Sequence, residues 1–224
     1  MSAKAMHITS LSLLVVTTVL VIVAFSGTNG DSGVPWAKTV INFRNTECQS
    51  QELYGLKNFR QSYKNCVGQN DETIKYDSDK CDDSDTDNSQ YCSKCSGAGK
   101  TVISMFSIAL ALICVSAVLI VMRLNDTNSG SDSGCTGKRL LVTLTLGGLT
   151  AVLAIAFATW SGDCFNALVK ATKHLSDKNF VDQTTAQLMG GFAVTVVACF
   201  TAGVATLIEF FTSQSASASE NEAK

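Results

Sequence analysis

The chain has 224 residues and a formal net charge of −2 at pH 7. This weakly acidic balance creates no basic field, so we expect no nucleic-acid partner. The hydrophobic fraction of 46% is ordinary in amount, but the apolar residues are concentrated in four long blocks. That concentration excludes most classes of soluble enzyme.

Four apolar runs determine the predicted architecture. Each is roughly 20 residues long, enough for an α-helix to cross a hydrocarbon core about 30 Å thick. Lipid offers no partners for backbone N–H and C=O groups, so such runs must be helical within a membrane. The runs are Ile8–Phe25, Thr101–Met122, Leu140–Trp160 and Leu188–Phe211. The sequence therefore predicts a mainly α fold, a four-helix transmembrane bundle whose first partner is the lipid bilayer.

The first run also has features of a secretory signal peptide. Lys4 precedes it, and Ala24-Phe25-Ser26 has the small-x-small form of a cleavage site. Cleavage would leave three spans. Because the run is longer than the apolar core of about 7–15 residues usual in signal peptides, we favour a retained span. The cleaved alternative stays open.

Spans and loops alternate along the chain. The predicted segments are a cytoplasmic N-terminus with span 1 (1–26), a first outer loop (27–100), span 2 (101–122), a cytoplasmic linker (123–139), span 3 (140–160), a second outer loop (161–187), span 4 (188–211) and a disordered cytoplasmic tail (212–224). The polar, Ser-rich and Ala-rich composition after span 4 is the basis for the predicted disorder.

The cysteines indicate which loops lie on the extracellular side of the membrane. Six of the nine cysteines lie in the two predicted outer loops, an even number that allows three disulfides in 15 connectivities. They are Cys48, Cys66, Cys81, Cys92, Cys95 and Cys164. Disulfides persist in oxidising space, so we expect these loops to be extracellular, in a plasma-membrane protein with cytoplasmic termini. Zinc binding through Cys92-x-x-Cys95 and its neighbours is the alternative, but the spacing lacks two paired C-x-x-C knuckles.

The first outer loop divides into an ordered part and a polar excursion. Val34–Phe43 is rich in β-branched and aromatic residues and predicts a strand. Ser50–Asn65 is compatible with a strand pair or with a short helix. Asn70–Gln90 is acidic with few apolar residues, so we expect an exposed excursion that buries almost nothing.

Within that excursion, Asp83, Asp85 and Asp87 match the first half of a calcium-binding loop. Asn88 stands where the complete pattern has Gly, and Lys94 where it has a bidentate Glu. These aspartates are therefore a weak calcium candidate. We expect no other metal site and no cofactor.

Small residues in the spans predict where helices pack, because helices in lipid associate through close backbone approach. Stripes of small residues at intervals of four occur in spans 3 and 4. They include Gly147 and Ala151 in span 3, and Gly191, Thr195, Cys199 and Gly203 in span 4. We expect these two spans to pack tightly against their neighbours.

The spans contain few groups that could perform chemistry. Glu209 is the one charged residue in the four runs, and we expect it to snorkel toward the cytoplasmic surface. The outer loops contain no nucleophile–base set, and His174 is their only histidine. These features argue against a transport path through the bundle and against an enzyme.

The layout and loop motifs resemble the claudin and peripheral-myelin superfamily of four-span proteins. That group has a Trp soon after span 1, then Gly-Leu-Trp; here Trp36 and Gly55-Leu56 correspond, with Lys57 replacing the second Trp. The chain is also similar to the amastins, whose loop has Trp-Gly-x-basic between two cysteines. Here Tyr54-Gly55-Leu56-Lys57 lies between Cys48 and Cys66.

The resemblance implies a small, partly β, disulfide-stapled extracellular domain from the first loop, with Cys48 bonded to Cys66. It also implies self-association without catalysis. The residues expected to anchor the loop near the outer bilayer interface are Trp36, Tyr54, Gly55 and Leu56. We therefore expect a non-enzymatic protein, a homo-oligomer or a partner of other membrane proteins, that organises a cell surface or membrane contact. An accessory subunit of a channel, transporter or receptor complex is the alternative.

Overall fold

The computed structural model describes residues 3–31, 34–44, 46–78, 81, 88–128, 136–177 and 181–222. Five α-helices and five strands occur within these ranges. The helices are α1 (Ala3–Ser26), α2 (Asn88–Asn128), α3 (Thr136–Thr159), α4 (Asn166–Ser176) and α5 (Gly190–Glu222), and a π-helical turn (Trp160–Phe165) joins α3 to α4. The strands are β1 (Ala37–Phe43), β2 (Gln49–Tyr54), β3 (Asn58–Lys64), β4 (Glu72–Lys75) and β5 (Val181–Leu188).

Four helical stretches are long and apolar enough to cross a membrane. They are Lys4–Ser26, Tyr91–Asn125, Leu140–Ser176 and Gly190–Thr212. About 20 residues suffice for the hydrocarbon core, so the second and third stretches, of 35 and 37 residues, extend beyond it. The chain is a multi-pass membrane protein with four candidate spans, as the sequence predicted.

The chain forms two compact units. The first, here called the bundle unit, comprises Met1–Val21, Met105–Ala154 and Val196–Lys224. The second, the sheet unit, comprises Ile22–Ser104 and Ile155–Thr195. Each unit draws on several separate stretches of sequence, so neither can be assigned from one local pattern.

In the bundle unit, α1 and α5 each bury a seam that repeats every seven residues. The seam residues are His7, Ser10, Leu14, Thr17 and Val21 in α1, and Ala198, Ala202, Ala205, Glu209 and Thr212 in α5. Steps of three and four alternate, which gives the 3.5-residue period of left-handed helix packing. Thr17 and Thr201 join the two helices by a hydroxyl–hydroxyl hydrogen bond of 2.8 Å.

The predicted stripe of α5 diverges from this buried seam. An interval of four residues rotates about 40° per step around a helix, so the stripe leaves the seam within two turns. Cys199 and Gly203 are consequently half-buried and face α3. The Cys199 Sγ lies 3.6 Å from the backbone carbonyl oxygen of Thr150. A Cβ at Gly203 would lie 3.7 Å from Thr150 Cγ2. Ala151, which was expected to pack, is exposed.

In the sheet unit, the five strands form one antiparallel sheet in the order β4-β3-β2-β1-β5. The region that the sequence left open, Ser50–Asn65, is a strand pair. Ala37 is opposite Tyr54 of β2 on one side and Leu188 of β5 on the other, so β1 is internal. The sequence placed the whole sheet in the first loop. Because β5 follows α4, the sheet also includes a strand from the second predicted loop.

Three disulfides close the sheet unit. They are Cys48–Cys66, Cys81–Cys92 and Cys95–Cys164. The third bond spans 69 residues and connects α2 to the π-helical turn, so both predicted outer loops lie on the same side of a membrane. The predicted fold class, a four-helix bundle with a small disulfide-stapled sheet, is confirmed.

Several boundaries differ from the expectations. The α2 helix begins at Asn88 rather than near residue 101, and α5 continues to Glu222 where disorder was expected. The polar excursion contains β4, which pairs with β3, and buries Tyr76 and Cys81. The weak calcium candidate, Asp83, Asp85 and Asp87, lies outside the described residues.

Candidate functional site

Trp36 attaches one end of the sheet to helices of the sheet unit. Its side chain is fully buried, and its indole N–H donates to the carbonyl oxygen of Ala24 in α1 at 3.2 Å. Its ring meets that of Trp160 edge-on, with centroids 5.4 Å apart. Gly191 permits this arrangement, because a Cβ there would lie 2.6 Å from Trp36 Cδ1. The predicted anchor therefore lies in a protein core, and its expected place near the outer bilayer interface stays a prediction.

The other predicted anchor residues are also interior. Tyr54 and Leu56 are each 1% exposed, and Tyr54 stacks on Phe59 with centroids 5.3 Å apart. The backbone at Leu56 packs directly on Gly99 of α2, where a Cβ would lie 1.8 Å from the Leu56 oxygen. Gly55 is equally confined, since a Cβ there would lie 2.5 Å from the Asn29 carbonyl carbon. These residues hold the β2–β3 turn against α2.

A cavity of about 180 Å³ lies beside Tyr54 and is here called the Glu52 cavity. Residues from four strands, α2 and α4 line it. They are Thr39, Ile41, Phe43, Glu52, Tyr54, Gln61, Tyr91, Leu168, Ala171, Thr172, Leu175 and Val181. Apart from Glu52, none of these described lining residues carries a formal charge.

The Glu52 carboxylate is held from two strands. The Thr39 hydroxyl donates to Oε2 at 2.8 Å, and the Tyr54 hydroxyl donates to the same oxygen. Burial, followed by the charge of Glu52, raises the pKa of Tyr54 well above its usual value, so the phenol remains a donor at neutral pH. Within the described ranges no hydrogen-bond donor reaches Oε1. One carboxylate oxygen is therefore committed to the sheet, and the other is left for a further contact.

The bundle unit contains a buried ionic cluster that sequence reasoning missed. Glu209 is fully buried, and its Oε1 lies 2.9 Å from His7 Nδ1 while Oε2 accepts from Arg123 Nη1 at 2.7 Å. The expectation that Glu209 snorkels is wrong. His7 and Arg123 lie at or just beyond the ends of the apolar runs, on other helices, so their proximity is visible only in three dimensions. The seven-residue pattern could have suggested it, because His7 and Glu209 continue the seams of α1 and α5, and Arg123 continues a buried series in α2 that includes Ile113, Ser116 and Ile120.

This cluster joins α1, α2 and α5 at one level of the bundle unit. Each oxygen of Glu209 has its own partner, the Arg123 guanidinium on one side and the His7 ring on the other. Removing charges from water costs several kcal/mol per ion, which makes such clusters weak net stabilisers. We interpret the cluster as a determinant of helix register rather than as a catalytic group.

The described part of the chain contains no group of three or more His, Cys, Asp or Glu side chains arranged to hold a metal ion. No protein-family model matches the chain, and no curated protein matches it either. Function is therefore inferred from geometry.

Proposed function

We propose that the chain is a non-enzymatic integral protein of the plasma membrane that organises a cell surface or membrane contact. It acts through lateral self-association and through the sheet unit, which faces outward while both termini are cytoplasmic. The orientation is supported by the location of all six disulfide-bonded cysteines in the sheet unit, since disulfides persist in oxidising space.

The observation that carries the proposal is the braced tip of the sheet. The turns after β1 and β3 are joined there by Cys48–Cys66, and Val67 is 100% exposed. Beside it lies an open depression of about 500 Å³ lined in part by Phe43 and Tyr63. At about 3.3 Å per residue, the tip lies about 20 Å along β1 from its Trp36 end. An apolar side chain on such a projecting turn is suited to protein contact.

The bracing matters because association costs free energy when loops must be ordered. A loop that is already cross-linked loses less conformational entropy on binding. Val67 directly follows Cys66, and so its position is restrained before any partner arrives. Exposed apolar side chains also occur on the bundle unit, for example Phe200 at 75%. Such faces are compatible with lipid and with a second copy of the chain.

Kinship with the claudin and peripheral-myelin superfamily is part of the proposal. It is supported by the Cys48–Cys66 bond, which is the pairing that the resemblance implied. It is also supported by the antiparallel sheet that follows α1 and by Trp36, which directly precedes β1. A structure of a self-associated form would test this kinship at the level of the interface.

Charge inserted at the tip tests the proposed contact. In Val67→Glu, a carboxylate would have to be buried in the interface, and we expect the self-association constant to fall by about tenfold or more. Native mass spectrometry of the purified protein in nanodiscs measures the oligomer distribution. Ser93→Glu is the matched control, because it adds the same charge on an exposed face of α2 in the same unit.

Equal self-association of the wild type and both variants would show that the tip is not the contact. A monomeric wild type that co-purifies in fixed ratio with a different membrane protein would instead favour an accessory subunit of a larger complex. Loss of association in Ser93→Glu as well as in Val67→Glu would indicate a nonspecific effect of charge.

A further inference from the structure

We propose that the Glu52 cavity is a binding site for a small quaternary ammonium group, whether of a free cation such as choline or of a phosphocholine lipid. The site lies in the sheet unit and shares Phe43 with the depression beside the braced tip, but it would bind a small ligand rather than a protein, so it goes beyond the proposed surface contact.

The charge of Glu52 is the first reason to expect a cationic ligand. Glu52 lies in the wall of the cavity, and no described Lys, Arg or His forms an ion pair with it. Two hydroxyl groups donate to this partly buried carboxylate, but no described cation neutralises its charge. A cationic ligand in the cavity would supply the missing countercharge.

The side chains that line the Glu52 cavity indicate which kind of cation it would bind. Phe43, Tyr54 and Tyr91 contribute aromatic rings, and Leu168 and Val181 contribute aliphatic surface. Aromatic rings attract cations through their quadrupole and are the usual walls of quaternary ammonium sites. A divalent metal would need about six oxygen ligands, which this wall does not provide.

Hydrogen-bond capacity separates quaternary from primary ammonium groups. A primary ammonium carries three N–H donors, and each requires an acceptor when it is desolvated. Besides Glu52 and Gln61, the polar groups of the wall are the hydroxyls of Thr39, Tyr54, Tyr91 and Thr172, and those of Thr39 and Tyr54 already donate to Glu52. A quaternary ammonium has no donors and satisfies the carboxylate by charge alone, so it is the better match.

Size and rigidity agree with this assignment. At about 180 Å³ the cavity is smaller than the range of about 300–1,000 Å³ typical of drug-sized ligands, and so it accommodates a head group rather than a large molecule. Thr39 and Tyr54 hold Glu52 in place from β1 and β2, and disulfides close the surrounding unit. The carboxylate is thus positioned before a ligand arrives, which lowers the cost of binding.

The test uses the full-length protein in nanodiscs of phosphatidylglycerol, which lack choline head groups. Choline is titrated and followed by calorimetry, with 3,3-dimethyl-1-butanol as its uncharged isostere and methylammonium as the primary ammonium. We expect saturable binding of choline, and binding of the other two weaker by about tenfold or more. Glu52→Gln should weaken choline binding by a similar factor, whereas Glu47→Gln, in the exposed turn after β1, should not.

A second variant keeps the test valid if Glu52→Gln misfolds. Ala171→Leu fills part of the cavity without changing its charge and should also weaken choline binding. Repeating the titration in phosphatidylcholine nanodiscs distinguishes the sources: a lower apparent affinity for choline identifies the lipid head group as a competing occupant. The absence of saturable choline binding by the wild type, equal binding of the isostere, or full binding by Glu52→Gln would each overturn the proposal.

Discussion

Glu209 shows how strongly one side chain can depend on two others from distant parts of the chain. Its carboxylate is fully buried between His7 and Arg123, and neither partner is close to it in sequence. Breaking a buried ion pair by removing one partner costs about 3–5 kcal/mol, because the other charge is left unmatched. The cluster is therefore sensitive to single substitutions although its net contribution to stability is small.

We expect Arg123→Met to lower the free energy of unfolding by about 3–5 kcal/mol for this reason. The double variant Arg123→Met with Glu209→Gln should recover most of the loss, since it removes the stranded charge. Unfolding in detergent, followed by circular dichroism, measures both. Arg60→Met is the control: Arg60 pairs with Asp31 and Asp71 at the surface, where such pairs contribute at most about 1 kcal/mol. If the double variant were as unstable as Arg123→Met alone, an unmatched charge on Glu209 would not explain the loss of stability.

Tyr76 predicts a specific dependence of stability on pH. Burial, followed by the neighbouring Tyr91 and Glu52, raises the pKa of Tyr76 well above its usual value, and its hydroxyl donates to the Gly55 oxygen at 2.9 Å. The contribution to stability is fully present below the unfolded pKa of about 10. Above that pH the unfolded chain loses its proton while the folded protein retains it, so stability falls as pH rises.

Tyr76→Phe should therefore reduce the alkaline loss of stability, although it also removes the hydrogen bond to Gly55 and lowers stability at neutral pH. Denaturant unfolding measured at several pH values from about 9 to about 11 gives the slope for each protein. An unchanged slope above pH 10 would mean that Tyr76 ionises in the folded state as readily as in the unfolded state.

At the scale of the elements, two glycines of α5 that the sequence placed in one stripe have different roles. A Cβ at Gly191 would lie 2.6 Å from the Trp36 ring, whereas one at Gly203 would make ordinary contact with Thr150 at 3.7 Å. We expect Gly191→Ala to cost about 1–3 kcal/mol through overpacking. Gly203→Ala should be neutral or slightly stabilising, since Ala is the better helix former.

Thermal unfolding of each variant distinguishes the two roles. Gly97→Ala in α2 is the reference, because a Cβ at that position would have no described heavy atom within 4 Å apart from its chain neighbours and the backbone of its own helix. If Gly191→Ala and Gly97→Ala had the same midpoint, the close approach to Trp36 would not limit the packing.

The elements also show what could be predicted from the sequence. The long apolar helices were evident because lipid permits no other backbone conformation for such runs. The β5 strand was missed because Val181–Leu188 is mostly polar and forms one edge of the sheet, where only one neighbour stabilises it. Likewise, β4 is a short edge strand whose pairing with β3 overrides an unfavourable composition.

For the whole molecule, the distribution of cysteines was the most informative part of the sequence. Disulfides persist in oxidising space, so the number and positions of the cysteines indicate the compartment of a loop before its fold is known. The Glu52 cavity could not be predicted, since strands and helices from both loops build its wall. The same holds for the cluster at Glu209, which joins three helices. Sites assembled from several segments depend on tertiary packing, about which local patterns carry little information.

Glycosylation tests the proposed orientation. Asn125-Asp126-Thr127 is the one acceptor sequence for N-glycosylation, and we expect it to remain unmodified on the cytoplasmic side. Glu72→Thr creates a second acceptor at Asn70, in the exposed turn between β3 and β4. That variant should acquire a glycan that an endoglycosidase removes, visible as a change in electrophoretic mobility. A glycan on the wild-type chain would reverse the assigned orientation.

The position of β5 has a consequence for biogenesis. Its neighbour β1 is translated before the second span, whereas β5 is translated only after the third span. During that interval nascent β1 has a bare edge, and Cys95 is a reactive thiol without its native mate. Under the proposed orientation the sheet unit folds in the secretory pathway, where quality-control factors recognise both features. Completion of the sheet therefore requires translation beyond the third span, and under the proposed orientation chains that end before β5 should be retained and degraded.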